Sequence, residues 1–242
     1  MTSRIALLTP VLMVGCVIIA ISFGIRSSFG IFQIPISQDF SWLRSEYSMA
    51  IAIQNLAWGF GQPVFGAIAD KFGDRRAIFG GALVYAAGLI LSSSAVTPAA
   101  HQFYSVLIGF GVAGTGFGVI LAVVGRSSTD ANRSMSLAIA TAAGSVGQIF
   151  GPPLAEYLLA VFSWQMVFVY FAVVMVSAMM MLPLMRGSKA AQKATADRSM
   201  RQILSQAIRD PSYIMIFIGF FSCGYQLAFI TAHFPAFVTE MC

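Results

Sequence analysis

Arg26 stands inside an apolar segment long enough to cross a bilayer, and its guanidinium is the sharpest chemical feature of the chain. At helical spacing Ser22, Arg26, Phe29, Gly30 and Gln33 share one stripe, a polar line among lipid-like neighbours. An arginine at membrane depth costs about 2.5–3.5 kcal/mol on insertion scales, so it must meet a partner or a wet cavity. A guanidinium grips a carboxylate through two parallel hydrogen bonds, which makes an organic anion its natural ligand. The competing reading is structural: Arg26 snorkels outward or donates to a backbone carbonyl and holds helices together. On the residues alone both readings stand.

Other polar stripes run along apolar segments. Gln54, Trp58, Gly61, Gln62 and Phe65 share a face, as do Thr141, Ser145, Gln148 and Pro152. Such side chains either hydrogen-bond a small polar solute or join helices to one another. Ser222, Gln226, Phe229 and His233 recur at spacings of four, three and four, but a single histidine near a helix end is weak evidence for a carrier of a coupling proton. No paired carboxylates, His-Glu-x-x-His or Gly-x-Ser-x-Gly arrangement lies in these segments, so no enzyme, metal or cofactor is expected. Cys16, Cys223 and Cys242 are isolated and read as small apolar residues, not as a disulfide framework.

The elements that must position these residues are membrane helices. The chain is 58% hydrophobic and only 10% charged, with a mean hydropathy of +0.81, far outside the range of soluble proteins. Crossing the hydrocarbon takes about 20 apolar residues. Seven candidate spans run over 12–33, 47–69, 77–96, 103–125, 135–161, 164–185 and 213–236. The first is too long and too polar at its far end for a cleaved leader. If the amino terminus is cytoplasmic, twelve of the fourteen Lys and Arg fall on the inner side, Arg44 alone on the outer, and Arg26 within a span. The inner set is Arg4, Lys71, Arg75, Arg76, Arg126, Arg133, Arg186, Lys189, Lys193, Arg198, Arg201 and Arg209. The net charge of +5 therefore reports topology and contact with anionic lipid, and no nucleic-acid partner is expected. A multi-pass protein of the cell inner (plasma) membrane is the expectation.

The turn between the second and third spans reads Gly66-Ala67-Ile68-Ala69-Asp70-Lys71-Phe72-Gly73-Asp74-Arg75-Arg76. Its pattern is Gly, three residues, Asp, a basic residue, any residue, Gly, any residue, two basic residues. Gly66 is expected to let a neighbouring helix approach, Gly73 to permit the tight reversal, and Lys71, Arg75 and Arg76 to hold the turn in the cytosol. This resembles the loop between the second and third helices of the major facilitator superfamily, whose members move solutes by alternating access. The resemblance implies an all-α fold of two six-helix bundles and a latch in which Asp70 makes charge contacts with the loop arginines, Arg75 nearby. Gly147, Gly151 and Pro152 are similar to the superfamily's fifth-helix signature, though Ala155 and Glu156 replace the glycines that usually follow. Gly111, Gly114, Gly116 and Gly118 are expected to leave a bare face on the fourth helix. No arginine occupies the usual early place in that helix, around 107–110.

The run Gly24-Ile25-Arg26-Ser27-Ser28-Phe29-Gly30-Ile31-Phe32, with Asp39-Phe40 and Trp42, resembles the first helix and outer loop of the monocarboxylate transporter and oxalate:formate antiporter group. That resemblance implies that Arg26 binds substrate; Gln33 on its own stripe, and Gln54, Trp58 and Gln148 on the neighbouring stripes, are the side chains expected to face the same cavity. It also implies transport of a mono- or dicarboxylate by proton symport or anion exchange.

Residues 1–185 are expected to form a six-helix bundle, 186–212 a cytoplasmic linker and 213–242 the first helix of a second bundle. Within the linker Met200, Ile203, Leu204, Ala207 and Ile208 share one helical face, which reads either as a short amphipathic helix on the inner leaflet or as a loop with chance periodicity. One bundle and a single further helix suggest a truncated product whose missing half a partner must supply, or else a fragment that inserts without transporting. A seven-helix receptor or retinal protein fits poorly, because the amino terminus is placed inside and the seventh span has no lysine for a Schiff base.

Overall fold

The computed structural model describes residues 8–185 and 200–241. Expectations resting on Arg4, Arg186, Lys189, Lys193, Arg198 and Cys242 lie outside those residues. All regular structure among the described residues is helical.

The first rod is α1 (Pro10–Ser27), which passes through a 3-10 segment at Ser28–Phe32 into α2 (Gln33–Phe40). Thr9 caps α1, its hydroxyl accepting from the Leu12 amide at 3.2 Å, and Pro10 occupies the first turn where no amide partner is needed. Ser41, in the left-handed region at φ 56°, ends α2. α3 (Arg44–Phe72) begins where the Glu46 carboxylate accepts from the Leu43 amide at 2.9 Å. Gly73, at φ 97° and ψ 148°, then joins α3 to α4 (Asp74–Ser93), a backbone conformation that only glycine adopts without strain. The expected reversal at Gly73 is thus present, and Asp74 sits at the favourable positive end of the α4 dipole.

α5 (Pro98–Thr115) is capped by Thr97 and is separated from α6 (Phe117–Ser127) by extended backbone at Gly116. The fourth span is therefore two helices where one was expected. α7 (Arg133–Leu159) runs through Pro152 and Pro153 without a break in helix, and α8 (Trp164–Ala178) tightens into a 3-10 segment at Met179–Leu184. α9 (Met200–Arg209) is the helix anticipated in the linker, and α10 (Pro211–Met241) is the seventh rod.

Among the described residues five rods are long and apolar enough to cross a membrane: Pro10–Phe40, Asp74–Ser93, Pro98–Ser127, Trp164–Leu184 and Pro211–Thr239. α3 and α7 have the length, at roughly 40 Å each, but are more polar, carrying Gln54, Asn55 and Gln62 or Thr141, Ser145 and Gln148. Seven spans were anticipated, and these two differ because their polar stripes dilute the apolar run.

Glycine sets the packing of the first five rods. α1 crosses α7 so closely that a Cβ on Gly147 would collide with the Ala20 carbonyl and one on Gly151 with that of Gly24. α3 meets α5 at Gly109, which lies against the backbone of Gln54 and Trp58, and at Gly61, which lies against Ala113. α4 meets α5 where Gly81 faces Gly114 and Gly111 faces Tyr85. Close backbone approach gives the van der Waals contact that joins helices where lipid removes the hydrophobic driving force. At one end Phe40, Trp42, Tyr47, His101, Trp164 and Phe168 form an aromatic cluster, tied by Trp164 Nε1 donating to Asp39 at 2.6 Å. The outward faces of α3 and α7 remain apolar and exposed, Phe60 and Phe150 among them.

Candidate functional site

Arg26 is 8% exposed and its surroundings come from three rods. Its Nη2 donates to Asn55 Oδ1 on α3 at 2.6 Å. The guanidinium carbon lies 4.6 Å from the Trp58 ring centroid and 5.9 Å from that of Phe23, both within cation–π range. Trp58 and Phe23 meet edge to face at 5.7 Å, so the aromatic side of the pocket is itself braced. Ser27 and Ser28, the next residues, turn their hydroxyls back to the Gly24 carbonyl at 3.0 and 2.8 Å and leave Arg26 as the group directed at α3. Among the described residues no carboxylate pairs with Arg26.

A cavity of about 570 Å³ opens beside this arginine, between α3 and α10, with Asn55, Trp58, Tyr225, Phe229 and His233 in its wall. Behind it a recess of about 10 Å³ is bounded by Arg26, Gly30, Gln54 and Thr231. α10 reaches α1's rod here: a Cβ on Gly30 would overlap the Thr231 carbonyl and press on Pro235. Gln54 Nε2 and Trp58 Nε1 are buried donors with no acceptor among the described residues. Buried polar atoms ordinarily find partners, so these two idle donors beside a guanidinium have hydrogen-bonding capacity that an acceptor could take up. Arg26, Gln54 and Trp58 are brought together as the sequence anticipated.

Two expected companions lie elsewhere. Gln33 is buried, but its amide donates to Ser48 Oγ at 2.9 Å and reaches the Arg44 carbonyl at 3.5 Å, placing it in a second cavity of about 610 Å³ with Arg44, Ser48 and His233. Gln148 is half-buried on α7, its backbone carbonyl accepting from Ser27 at 3.4 Å, and it lines neither cavity. Ser22, at the start of the Arg26 stripe, turns into the bundle and pairs with Thr115 Oγ1 at 2.8 Å. The residue missed by sequence reasoning is Asn55, whose signal was a second amide adjoining Gln54 in an otherwise apolar run.

The Gly66 to Arg76 turn is arranged differently from expectation. Asp70 lies 3.8 Å from Arg126 Nη1, and the same guanidinium bonds Asp74 through Nη2. Arg75 instead donates from Nε to the Met185 carbonyl. The reason is geometric: Arg75 follows the Gly73 reversal and faces the end of α8's rod, while α6 delivers Arg126 between both acids. Lys71 lies over the Phe72 ring at 5.3 Å, and Arg76 is exposed. A Cβ at Gly66 would meet nothing within 4 Å, so among the described residues the anticipated helix approach there is absent. Of the fourth-span glycines, Gly111 and Gly114 make the close contacts, Gly116 breaks the helix, and Gly118 is exposed beneath the Gln62 side chain.

The chain matches the Major Facilitator Superfamily over residues 14–241. Over 155 residues it is 32% identical to monocarboxylate transporter 13 of Bos taurus, covering 60% of this chain and 34% of that protein. It is 27% identical over 217 residues to the uncharacterized MFS-type transporter YcxA of Bacillus subtilis (strain 168), covering 86% and 52%. Voltage-gated purine nucleotide uniporter SLC17A9 of Homo sapiens is 26% identical over 157 residues, covering 60% and 34%. The chain thus spans from a third to about half the length of these curated relatives.

Proposed function

The chain belongs to the Major Facilitator Superfamily, and on that premise we propose that it forms the first lobe of a secondary active transporter for a small organic anion, a mono- or dicarboxylate. The observation that carries this reading is Arg26, buried beside a largely apolar cavity with no carboxylate partner among the described residues. An uncompensated guanidinium in a low-dielectric wall attracts a carboxylate strongly, and the donors of Gln54 and Trp58 can complete its hydrogen bonding. The relatives named monocarboxylate transporter 13 agree with that ligand chemistry.

Transport proceeds by alternating access, as proton symport or anion exchange. Residues 1–185 act as the first bundle, 186–212 as a linker and 213–242 as the opening helix of the second. The amino terminus faces the cytosol across the plasma membrane, and Gly66, Asp70, Lys71, Gly73, Arg75 and Arg76 form the inner gate, with Arg126 as the cation that holds Asp70.

Uptake of radiolabelled L-lactate and oxalate into proteoliposomes tests this. Arg26→Gln is expected to lower uptake by about tenfold or more, equivalent to about 1.4 kcal/mol or more of lost interaction, with membrane insertion unchanged. Unaltered uptake would remove Arg26, and with it the anion reading. Because the chain covers about half or less of each relative, a second reading is that this stretch inserts but transports only in company with a second lobe. The same assay on the 242-residue chain alone separates the two.

A further inference from the structure

We propose that Asn55 is the positioning residue of the Arg26 site, a neutral partner that aims the guanidinium without cancelling its charge; this deepens the anion reading above and rests on it. The amide of Asn55 has one possible orientation. Its Nδ2 donates to the Ile51 carbonyl at 2.8 Å, one turn back on α3, and its Oδ1 accepts from Arg26 at 2.6 Å. Arginine only donates and a carbonyl only accepts, so a flipped amide would face donor with donor and acceptor with acceptor. The Asn55 carbonyl is thereby fixed, and it holds Arg26 by one edge while Trp58, one turn further along α3, covers a face at 4.6 Å.

The chemistry of the partner matters more than the contact. A carboxylate in this place would form a permanent ion pair at membrane depth and would occupy the fork that a substrate needs. An amide offers only a dipole. It offsets part of the cost of burying Arg26 yet leaves a full positive charge and further N–H donors facing the recess and the cavity. A substrate carboxylate therefore meets an arginine that is already oriented and still unneutralised, the condition under which little binding energy is lost to reorganisation. Asn55 lines both the recess and the larger cavity, so the exchange of partners takes place where an anion arrives.

The test compares Asn55→Asp and Asn55→Ala with Arg26→Gln, using uptake of labelled L-lactate and oxalate and the quantity of inserted protein. Asn55→Asp keeps size and shape, adds a charge, and replaces the Nδ2 donor to the Ile51 carbonyl with a second acceptor. It is expected to insert normally and to raise KM by about tenfold or more, a difference of about 1.4 kcal/mol or more. Asn55→Ala, which keeps Arg26 unneutralised but unaimed, should raise KM by several-fold with kcat much less affected. A purely structural Asn55 would show its loss as less inserted protein in both variants, with the KM of what inserts unchanged. If Arg26→Gln abolishes uptake while Asn55→Asp leaves KM near the wild-type value, the Asn55 proposal falls and the anion site stands. If Arg26→Gln transports normally, the anion site itself falls. Should Asn55→Asp fail to insert, an unchanged KM in Asn55→Ala overturns the proposal alone.

Discussion

Trp58 is the side chain at which the stability of the bundle and the proposed anion site meet. Its ring face lies on the Arg26 guanidinium and its Nε1 is an idle donor, so it is expected to bind the arginine and the anion together. A desolvated cation–π contact is worth about 2 kcal/mol. Trp58→Leu should therefore raise KM for lactate by about tenfold, while Trp58→Phe, which keeps a ring but loses the N–H, should fall between; equal values for Leu and wild type in proteoliposome uptake would refute it. Arg26, Gln54 and Trp58 were legible in the sequence because polar or cationic groups stand out against an apolar background. Gln33 was misplaced for a definite reason. The chain tightens to a 3-10 segment over Ser28–Phe32, and five residues at 120° in place of 100° rotate Gln33 and the rest of α2 by about 100°. A wheel drawn at 3.6 residues per turn cannot register that change, and it likewise separated Asn55 from Gln54 although both line the same recess.

Pairs of helices stand or fall on their glycine contacts. Gly147 and Gly151, one turn apart on α7, admit the Ala20 and Gly24 carbonyls of α1 to distances that any side chain would block. Overpacking costs about 1–3 kcal/mol where side chains can move and more where backbone is in the way. Gly151→Leu is thus expected to lower the thermal unfolding temperature of the purified protein sharply or to prevent folding. Gly59→Leu, on the open face of α3, should leave it nearly unchanged, since a Cβ there meets nothing within 4 Å. The spacing of Gly147 and Gly151 marked α7 as a helix open to close approach, without indicating α1 as the rod that uses it. Gly66 carries the same residue type without a neighbour among the described residues, and Gly116 breaks a helix that its flanking glycines seemed merely to smooth. Composition marks where close approach is possible; which glycine is used depends on the rotation of the facing rod.

The arrangement of the seven rods makes a topological statement that can be checked from either side of the membrane. Arg126 gathers Asp70 and Asp74 at one end, and the aromatic cluster around His101 with Trp42 closes the other. In a cysteine-free background, cysteine at Lys71 should react with an impermeant maleimide only after the cytosolic face is opened, and cysteine at Leu43 should react in intact cells. The reverse pattern would invert the protein and its gate. The order of the rods was readable from hydropathy, although among the described residues five of the seven expected spans are long and apolar enough to cross a membrane; the partner of Asp70 was not readable, because Arg126 lies 56 positions away and only the packing of α6 brings it near. The polarity of α3 has a further consequence for biogenesis. A segment bearing Gln54, Asn55 and Gln62 dissolves poorly in lipid alone, and its principal partner, α5, is translated only after α3 and α4 have emerged. The newly made α3 must therefore be sheltered at the insertion machinery until the chain behind it arrives, and the amides proposed to meet an anion are the same groups expected to delay its entry into the bilayer.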